Sequence, residues 1–436
     1  MSVPKRSLTR LSLNTFANIV IGMVAQIAAG IAVARILGPA NKGIITYAGY
    51  LLVFAVTLAD GIRDAISYQI GKRGLPARDV WSAALRLIAV AGLVGSLVFI
   101  ALAWFWPLER AAFVAAAIAF AFAVYLQSVN CLYQIFHRVE RINLTNSLTV
   151  GAGAPLITLL LLLVWHVGVP IVLGVWVAAY VVAAVWNSFG LKAMLGAEIS
   201  GTNLASLVRE QIGFGVKAAL SSTLAFLALR VDVFIVAAIM SAASLGVYTL
   251  ALAAGELMWV FSRSLLWAST GRIATDRHED AVALAARVSR TSLALHFAVG
   301  AALFAAGPVL IDLVYGGRFS GAGPVLRILL PGLVLYGADG ALSYFIAVRA
   351  GRPGLLLGFQ SITLAACGAL TYAGVLRFGM VGAAWADTIA YVLAFALKAG
   401  FFVRLTGAAP LDILLARPSD IPSGLRTRLR QILRKA

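Results

Sequence analysis

The sequence predicts an all-α polytopic membrane protein with about twelve transmembrane helices in two six-helix lobes related by a parallel repeat. This prediction comes from the composition, the spacing of the apolar runs and an internal repeat. Of the 436 residues, 61% are hydrophobic and 12% are charged. A soluble domain carries about 25% charged residues and about 45 to 50% apolar ones. No polar domain separates the apolar runs, so we predict a single membrane domain.

The apolar runs have the length that a membrane helix requires. A hydrocarbon core about 30 Å thick is crossed by about 20 apolar residues of helix. Twelve runs meet this requirement, at residues 14–37, 44–69, 80–106, 111–136, 144–165, 168–190, 213–240, 243–269, 290–315, 325–348, 355–376 and 380–403.

Basic residues between the runs indicate the topology. The chain has 35 Lys and Arg against 17 Asp and Glu, a net charge of +18. With the N-terminus inside, 23 of these bases lie on cytoplasmic segments, four, including Lys42, on outer loops, and eight within the runs. Bases favour the cytoplasmic side, which predicts a multi-pass membrane protein with both termini cytoplasmic. The excess charge is thus a topology signal, and we expect no nucleic-acid partner.

The first run and the C-terminal tail each have two possible interpretations. A cleaved signal peptide ending near Ala32-Val-Ala34 is the alternative interpretation of the first run, although that run is long and carries polar residues. In the C-terminal tail, arginines alternate with an apolar face around Leu425 to Leu433. This pattern is typical of a helix lying on anionic lipid, and a disordered basic tail is the alternative.

The two halves of the chain resemble each other. Residues 36–48 align without gaps on 239–251, with five identities that include Gly43 and Gly246. A second match pairs the last runs of each half. Six spans per half make the repeats parallel, which is typical of transporters with a site between two lobes. We therefore predict an N-terminal lobe at 1–190, a cytoplasmic linker at 191–212, a C-terminal lobe at 213–405 and a basic cytoplasmic tail at 406–436.

The first run carries a stripe of polar and small residues. Asn14, Asn18, Gly22, Gln26 and Gly30 recur at every fourth position, so they share one helix face. We expect this stripe to face the interior, either for helix packing or to line a cavity, with Asn18 and Gln26 as candidate substrate contacts.

The second and eighth runs carry acids and bases together. Asp60, Arg63 and Asp64 share one face, which predicts either a self-neutralising cluster or a phosphate contact beside a cation site. Glu256 and Arg263 are seven residues apart and also share a face. They are interpreted as a structural pair or as a coupling acid beside a substrate-binding base.

Other bases within the runs are candidate contacts for an anionic headgroup. Those in the inner half are Arg63, Arg86, Lys217, Arg263 and Lys398. Arg230 is a further candidate, but it and Asp232 point to different sides of an ideal helix. The guanidinium fork of arginine suits phosphate particularly well.

Enzyme signals are weak. The histidines have no metal-ligand spacing, no P-loop is present, and the two cysteines lie far apart in apolar runs. We therefore predict no enzyme activity, no metal and no cofactor. Without an ATP motif, we expect a sodium ion or proton gradient, or consumption of the product outside, to drive transport. The candidate coupling sites are Asp60, Glu256, Asp339 and Asp387.

Several segments carry a family resemblance. They are Arg35-Ile-Leu-Gly38-Pro39 with Gly43, the step Ala59-Asp60-Gly61-Ile62, Leu229-Arg230-Val-Asp232 with Leu245-Gly246-Val-Tyr248, and Tyr315-Gly316 with Phe319 and Ala322. The chain resembles the polysaccharide exporters of the multidrug, oligosaccharidyl-lipid and polysaccharide flippase superfamily, most of all the bacterial oligosaccharide flippases. Two departures matter: the extra C-terminal helices of the lipid II flippases and the first-helix acid of some drug exporters are both missing.

The resemblance implies two six-helix lobes in the bacterial inner membrane that move undecaprenyl-pyrophosphate-linked oligosaccharide repeat units from the inner to the outer leaflet. It implies membrane lipids, and also glycosyltransferases and a polysaccharide polymerase, as partners in making O-antigen, lipopolysaccharide or exopolysaccharide. One alternative is a cation-coupled multidrug exporter of the same superfamily. A membrane-embedded glycan polymerase or ligase ranks below both, because the predicted outer loops are too short to carry an active site.

Overall fold

The computed structural model describes residues 8–105, 110–195, 203–417 and 420, and every regular element in these residues is a helix. Helices suit a membrane because they satisfy their backbone hydrogen bonds internally. The α-helices are α1 (Leu8–Ala32), α2 (Gly38–Ser67), α3 (Ala77–Phe105), α4 (Arg110–Ile135), α5 (Val139–Asn146), α6 (Gly153–Trp165), α7 (Val169–Ser188), α8 (Lys192–Leu195), α9 (Leu204–Ile239), α10 (Ala242–Glu256), α11 (Trp259–Thr275), α12 (His278–Tyr315), α13 (Ala322–Ala338), α14 (Gly340–Tyr344), α15 (Pro353–Thr406) and α16 (Pro410–Leu414).

Helices cover all twelve predicted runs. Within the described residues, nine helical stretches are long and apolar enough to cross a membrane. Two of them hold two runs each: Ala17–Lys72 joins α1 to α2, and α15 contains a kink at Gly379, whose φ is 59°. The eighth run is divided between α10 and α11 and is not one of the nine. The predicted all-α polytopic fold class is confirmed.

Several predicted loops are helical. The first two runs are connected by a π-helical turn at Val33–Leu37, after which Gly38 begins α2. Lys42 therefore lies inside α2, and its predicted place in an outer loop is wrong. Likewise α12 begins at His278, so the predicted cytoplasmic segment before residue 290 is mostly helix. The predicted surface helix of the tail lies outside the described residues.

The chain divides into two compact units. Unit 1 comprises Met1–Leu227 and Ser241–Gly246, and unit 2 comprises Ala228–Met240 and Val247–Ala436. The division falls inside α9, C-terminal to the predicted linker, because the first part of α9 packs on α2, where Gly215 contacts Gly61, and on the π-helical turn Tyr68–Lys72 that follows α2. In the contact with this turn, Gln211 donates a hydrogen bond to Gln69 at 2.9 Å, and the rings of Phe214 and Tyr68 stack 4.7 Å apart.

Helix α4 forms the centre of unit 1. It packs against α2, α3 and α7, and most of it is buried. Its alanines, among them Ala112, Ala116 and Ala119, are fully buried. Small side chains allow helices to approach closely in lipid, where van der Waals packing and interhelical hydrogen bonds hold them together.

Two glycines that the sequence repeat pairs contact each other in unit 1. A Cβ added to Gly43 would lie 2.0 Å from the carbonyl oxygen of Ala242, and one added to Gly246 would lie 2.0 Å from that of Pro39. Ala242 is also the repeat partner of Pro39, at the same offset. Each segment therefore contacts the equivalent residues of its repeat partner, as two copies related by a two-fold axis do. Both backbones touch, so neither position has space for a side chain.

The C-terminal segment of unit 2 is held by an ion pair. Arg290 of α12 donates two hydrogen bonds of 2.6 Å to the carboxylate of Asp420, and it also donates to the carbonyl of Asp412. These bonds hold the pKa of Asp420 below its ordinary value, because they favour its charged form.

We expect replacement of Gly43 or Gly246 by alanine to destabilise the protein, by about 1 to 3 kcal/mol, because the added methyl forces two backbones apart. The measurement is thermal unfolding in detergent, followed with a thiol-reactive dye that reports exposure of the buried Cys131 and Cys367. The matched control is Gly71→Ala, since nothing lies within 4 Å of a Cβ at Gly71. Equal unfolding temperatures for all three variants would contradict the contact.

Candidate functional site

Unit 1 contains a cavity of about 680 Å³, half of whose lining residues are polar, which we call the Arg63 cavity. Ligand pockets commonly fall between about 300 and 1,000 Å³. The cavity lies among α1, α2, α4 and α7, which are otherwise mainly apolar, and the short polar helix α5. Its polar lining residues are Gln26, Thr57, Asp60, Arg63, Gln127, Asn130, Gln134, Asn146 and Tyr180.

At one end of this cavity, a single arginine is shared between two carboxylates. Arg63 Nη1 lies 3.1 Å from Asp60 Oδ1, and Arg63 Nη2 lies 2.9 Å from Asp64 Oδ1. Gln127 of α4 donates a further hydrogen bond to Asp60. Asp60 is buried, whereas the side chains of Arg63 and Asp64 are 37% and 36% exposed. The predicted clustering is therefore present, with a formal charge of −1 when every group is ionised.

Asparagines fix the wall of the Arg63 cavity. Asn187 of α7 is fully buried, donates to Asn130 Oδ1 at 3.2 Å and accepts a hydrogen bond of 2.9 Å from Thr145. The hydroxyl of Tyr133 donates to the Asn187 carbonyl. This network joins α4, α5 and α7, so the polar lining has a fixed position.

The polar stripe of α1 borders the Arg63 cavity. The amide of Gln26 donates to the carbonyl of Gly151 at 3.3 Å. In a regular helix that carbonyl would accept from the residue four positions later, but this residue is Pro155, which has no N–H. Gln26 therefore satisfies a carbonyl that the chain leaves open. Gly22 packs on the same residue, so the stripe serves both helix packing and cavity lining, while Asn18 is half-buried.

A second cavity lies beyond Gln26 in unit 1. It has a volume of about 320 Å³, and Gln26 and Val150 line both cavities. We call it the Lys42 cavity, because Lys42 of α2 lines it. Thr158 and Trp176 are also part of its wall. Sequence reasoning missed this lysine because the glycine and proline before it predict a loop.

The predicted headgroup contacts do not share one environment. Arg63 and Gln26 line the Arg63 cavity, whereas three others have exposed side chains: Arg86 on α3, Lys217 on α9 and Arg263 on α11.

The remaining two predicted bases are buried in ion pairs of unit 2. Lys398 lies 2.5 Å from Asp339, and Arg230 donates two hydrogen bonds, of 2.5 and 2.8 Å, to Glu256. Glu256 thus pairs with Arg230 rather than with Arg263, because α10 ends at Glu256 and a turn separates it from α11.

Two acids of unit 2 share one tyrosine. The hydroxyl of Tyr248 lies 2.6 Å from Asp232 Oδ2 and 2.8 Å from Asp387 Oδ2, and all three residues are fully buried. The thiol of Cys367 donates to the other oxygen of Asp387 at 3.2 Å. A phenol has one proton to donate. It can satisfy both carboxyl groups only when one of them is protonated and donates to the phenol oxygen.

Metal binding has no support in the described ranges, where no group of three or more His, Cys, Asp or Glu side chains is placed to hold an ion.

Comparisons with known proteins agree with this architecture. A family described as polysaccharide biosynthesis protein matches residues 11–259. No curated protein matches the chain.

Solved structures with the same fold include transporters. An inward-facing multidrug resistance MATE family transporter of the MOP superfamily is 16% identical, with a TM-score of 0.68 over 91% of this chain and 99% of that one. The lipid II flippase MurJ, in an inward closed conformation, is 14% identical, with a TM-score of 0.69 over 92% and 88%. A MOP superfamily transporter from Pyrococcus furiosus is 18% identical, with a TM-score of 0.61 over 93% and 97%. At these identities the likeness shows the fold.

We expect Lys398→Met to destabilise unit 2 by about 3 to 5 kcal/mol, because it leaves the carboxylate of Asp339 buried without a partner. The double variant Lys398→Met with Asp339→Asn removes both charges and recovers most of that loss. Thermal unfolding of the two single variants and the double variant measures the coupling. Additive losses in the double variant would show that the two side chains do not stabilise each other.

Proposed function

The chain belongs to the polysaccharide biosynthesis protein family, and we propose that it flips an undecaprenyl-pyrophosphate-linked oligosaccharide from the cytoplasmic to the outer leaflet of the bacterial inner membrane. The protein would work by alternating access, with both termini cytoplasmic. Glycosyltransferases would assemble the lipid-linked sugar before this step, and a polysaccharide polymerase would act on it afterwards. The polyprenyl tail would stay in the surrounding membrane lipid.

The observation that carries this proposal is the Arg63 cavity. Amide side chains such as Gln127, Asn130 and Gln134 line it, and each amide both donates and accepts hydrogen bonds. Sugar hydroxyls also donate and accept, so amides are suitable partners for them. A polar cavity of this volume among membrane helices has no use in packing alone, because buried polar groups are costly in lipid.

Arg63 is the proposed contact for the pyrophosphate. Its guanidinium already holds Asp64, the more exposed of its two acids, by directing Nε at 3.0 Å and Nη2 at 2.9 Å to one carboxylate oxygen, Oδ1. A phosphate presents two oxygens to the same fork. Binding would therefore exchange Asp64 for the substrate phosphate, while Asp60 stays held by Gln127. Such an exchange favours release as well as binding, because the arginine is never left unpaired.

A proton gradient is the proposed drive, and the Asp232 and Asp387 pair is its proposed site. Of the four predicted coupling acids, Glu256 and Asp339 are neutralised by bases in buried pairs, and Asp60 is paired with Arg63. Asp387 instead shares a proton with Asp232 through Tyr248. Loss of that proton would leave two carboxylates repelling each other in a low-dielectric site, so the charge state is coupled to the packing of α9, α10 and α15.

A cation-coupled multidrug exporter remains the second candidate. The formal charge of −1 on the Asp60, Arg63 and Asp64 cluster favours it, because an acidic cavity attracts cationic drugs. Flux of a cationic dye in proteoliposomes distinguishes the candidates. A drug exporter moves the dye, and a flippase for anionic lipid-linked sugars does not.

We expect Arg63→Ala to abolish surface polysaccharide and to leave lipid-linked repeat units on the inner leaflet, because the pyrophosphate loses its contact. Arg63→Lys keeps the charge without the fork and is expected to retain partial export. The measurement combines surface polysaccharide with leaflet-selective labelling of the lipid-linked sugar in cells that depend on this protein. Arg377→Ala, at an exposed position of α15, is the matched control. Normal export by Arg63→Ala would overturn the proposed phosphate contact.

We expect transport in proteoliposomes to respond to a pH gradient and not to a sodium gradient. Asp387→Asn and Asp232→Asn are each expected to abolish that response, because the amide cannot take up or release the proton. Asp312→Asn, at an exposed position of α12, is the control. A response to sodium that Asp387→Asn removes would assign the pair to sodium instead, and an unchanged pH response would reject it as the coupling site.

A further inference from the structure

The Lys42 cavity lies at the far end of α2 from Arg63. The two bases are 21 positions apart in one continuous helix. At 1.5 Å per residue, this separation is about 30 Å along the helix axis, which is about the thickness of the hydrocarbon core. Each end of the helix therefore presents one base to a cavity.

Lys42 differs from the other bases that are buried in this protein. Arg230 and Lys398 are each paired with a carboxylate. Lys42 is half-buried and forms no ion pair within the ranges that the structure describes. A charged amine held away from water without a partner is costly, and an anionic group in the cavity would relieve that cost.

The wall of the Lys42 cavity suits a sugar ring. Trp176 provides an aromatic surface, and the C–H faces of sugar rings pack on such surfaces. Gln26 and Thr158 provide hydrogen-bonding groups for hydroxyls, and the rest of the lining is mainly apolar. A volume of about 320 Å³ is at the low end for ligand pockets, so it suits one or two sugar rings and not a lipid chain.

The Lys42 cavity adjoins the Arg63 cavity. Gln26 lines both, and the ring of Trp176 packs edge-on against Tyr180, which lines the Arg63 cavity, with centroids 5.6 Å apart. An oligosaccharide whose pyrophosphate lies near Arg63 can therefore extend past Gln26 towards Lys42.

We propose that the Lys42 cavity is a subsite for an acidic sugar, whose carboxylate pairs with Lys42 while its ring packs on Trp176. This inference rests on the proposed function and adds to it that the transported glycan contains a carboxylate-bearing sugar. A single amine matches the single charge of a carboxylate. The pyrophosphate carries more charge. Its proposed contact is Arg63, at the other end of α2, whose guanidinium can donate two hydrogen bonds to a phosphate.

The test measures binding of two disaccharides to the full chain in lipid nanodiscs by NMR titration. One is glucuronic acid linked to glucose, and the other is the neutral disaccharide of two glucoses. We expect the acidic disaccharide to bind at least about tenfold more tightly, as expected for a charge-assisted hydrogen bond. Lys42→Met removes this preference and Lys42→Arg retains it, whereas Trp176→Leu weakens binding of both sugars. Arg110→Met, at an exposed position on α4, is the matched control and keeps the preference.

Equal affinities for the two disaccharides in the unaltered protein would overturn the proposal, and so would a preference that survives Lys42→Met. Tighter binding of inorganic pyrophosphate than of the acidic disaccharide in the Arg63→Ala variant, lost when Lys42→Met is added, would also overturn it, by identifying the phosphate as the anion that Lys42 binds.

Flipping assays on the same variants in proteoliposomes separate this subsite from the proposed function. If a lipid-linked neutral oligosaccharide is flipped as fast as an acidic one, and Lys42→Met changes neither rate, the subsite fails and the flippase stands. If no lipid-linked oligosaccharide is flipped but the acidic sugar still binds through Lys42, the flippase fails and the subsite stands.

Discussion

The cost of an unpaired charge in hydrocarbon is the constraint on which the polar organisation of this protein depends. Moving an ionisable side chain into the bilayer costs at least about 2.5 kcal/mol, and a partner of opposite charge offsets part of that cost. In unit 2, Arg230 with Glu256 and Lys398 with Asp339 form compact neutral pairs that need no ligand. They stabilise the structure and leave no charge for a substrate. The groups left for function are those that such pairing does not neutralise.

Among the buried and half-buried side chains that the structure describes, three places stand out for charges that are shared or lack an ion pair. In unit 1, Arg63 is divided between two acids and Lys42 is half-buried beside an apolar cavity. In unit 2, two acids share the hydroxyl of Tyr248. Each of these places has a state that a ligand or a proton can change. The two ion pairs of unit 2 have only one stable state, because breaking either pair leaves a buried charge uncompensated.

Most of the fold could be predicted from the sequence, because the length of an apolar run alone determines whether it crosses a membrane. Two glycines that the repeat aligns, Gly43 and Gly246, contact each other, although an alignment does not predict that contact. The helical connection between the first two spans could not be predicted, because a glycine followed by a proline commonly marks the end of a helix. Here a π-helical turn continues the chain into α2. The error removed Lys42 from the set of candidate residues. Ion pairs between helices, such as Arg230 with Glu256, could not be predicted either, since the spacing of residues along one helix does not indicate which neighbouring helix they contact.

One interhelical contact did have a signal in the sequence. Pro155 lacks an N–H, so the carbonyl four residues before it, that of Gly151, must find another donor in the membrane. A π-helical turn at Ser147–Gly151 precedes it, and such turns occur frequently at functional sites. The amide of Gln26 supplies the donor and thereby holds a polar side chain at the junction of the Arg63 and Lys42 cavities. A sugar hydroxyl at this junction would compete for the same carbonyl and amide. The position of Gln26 is therefore set by the Gly151 carbonyl, which Pro155 leaves without a helical donor. This carbonyl and the Gln26 amide make the junction polar.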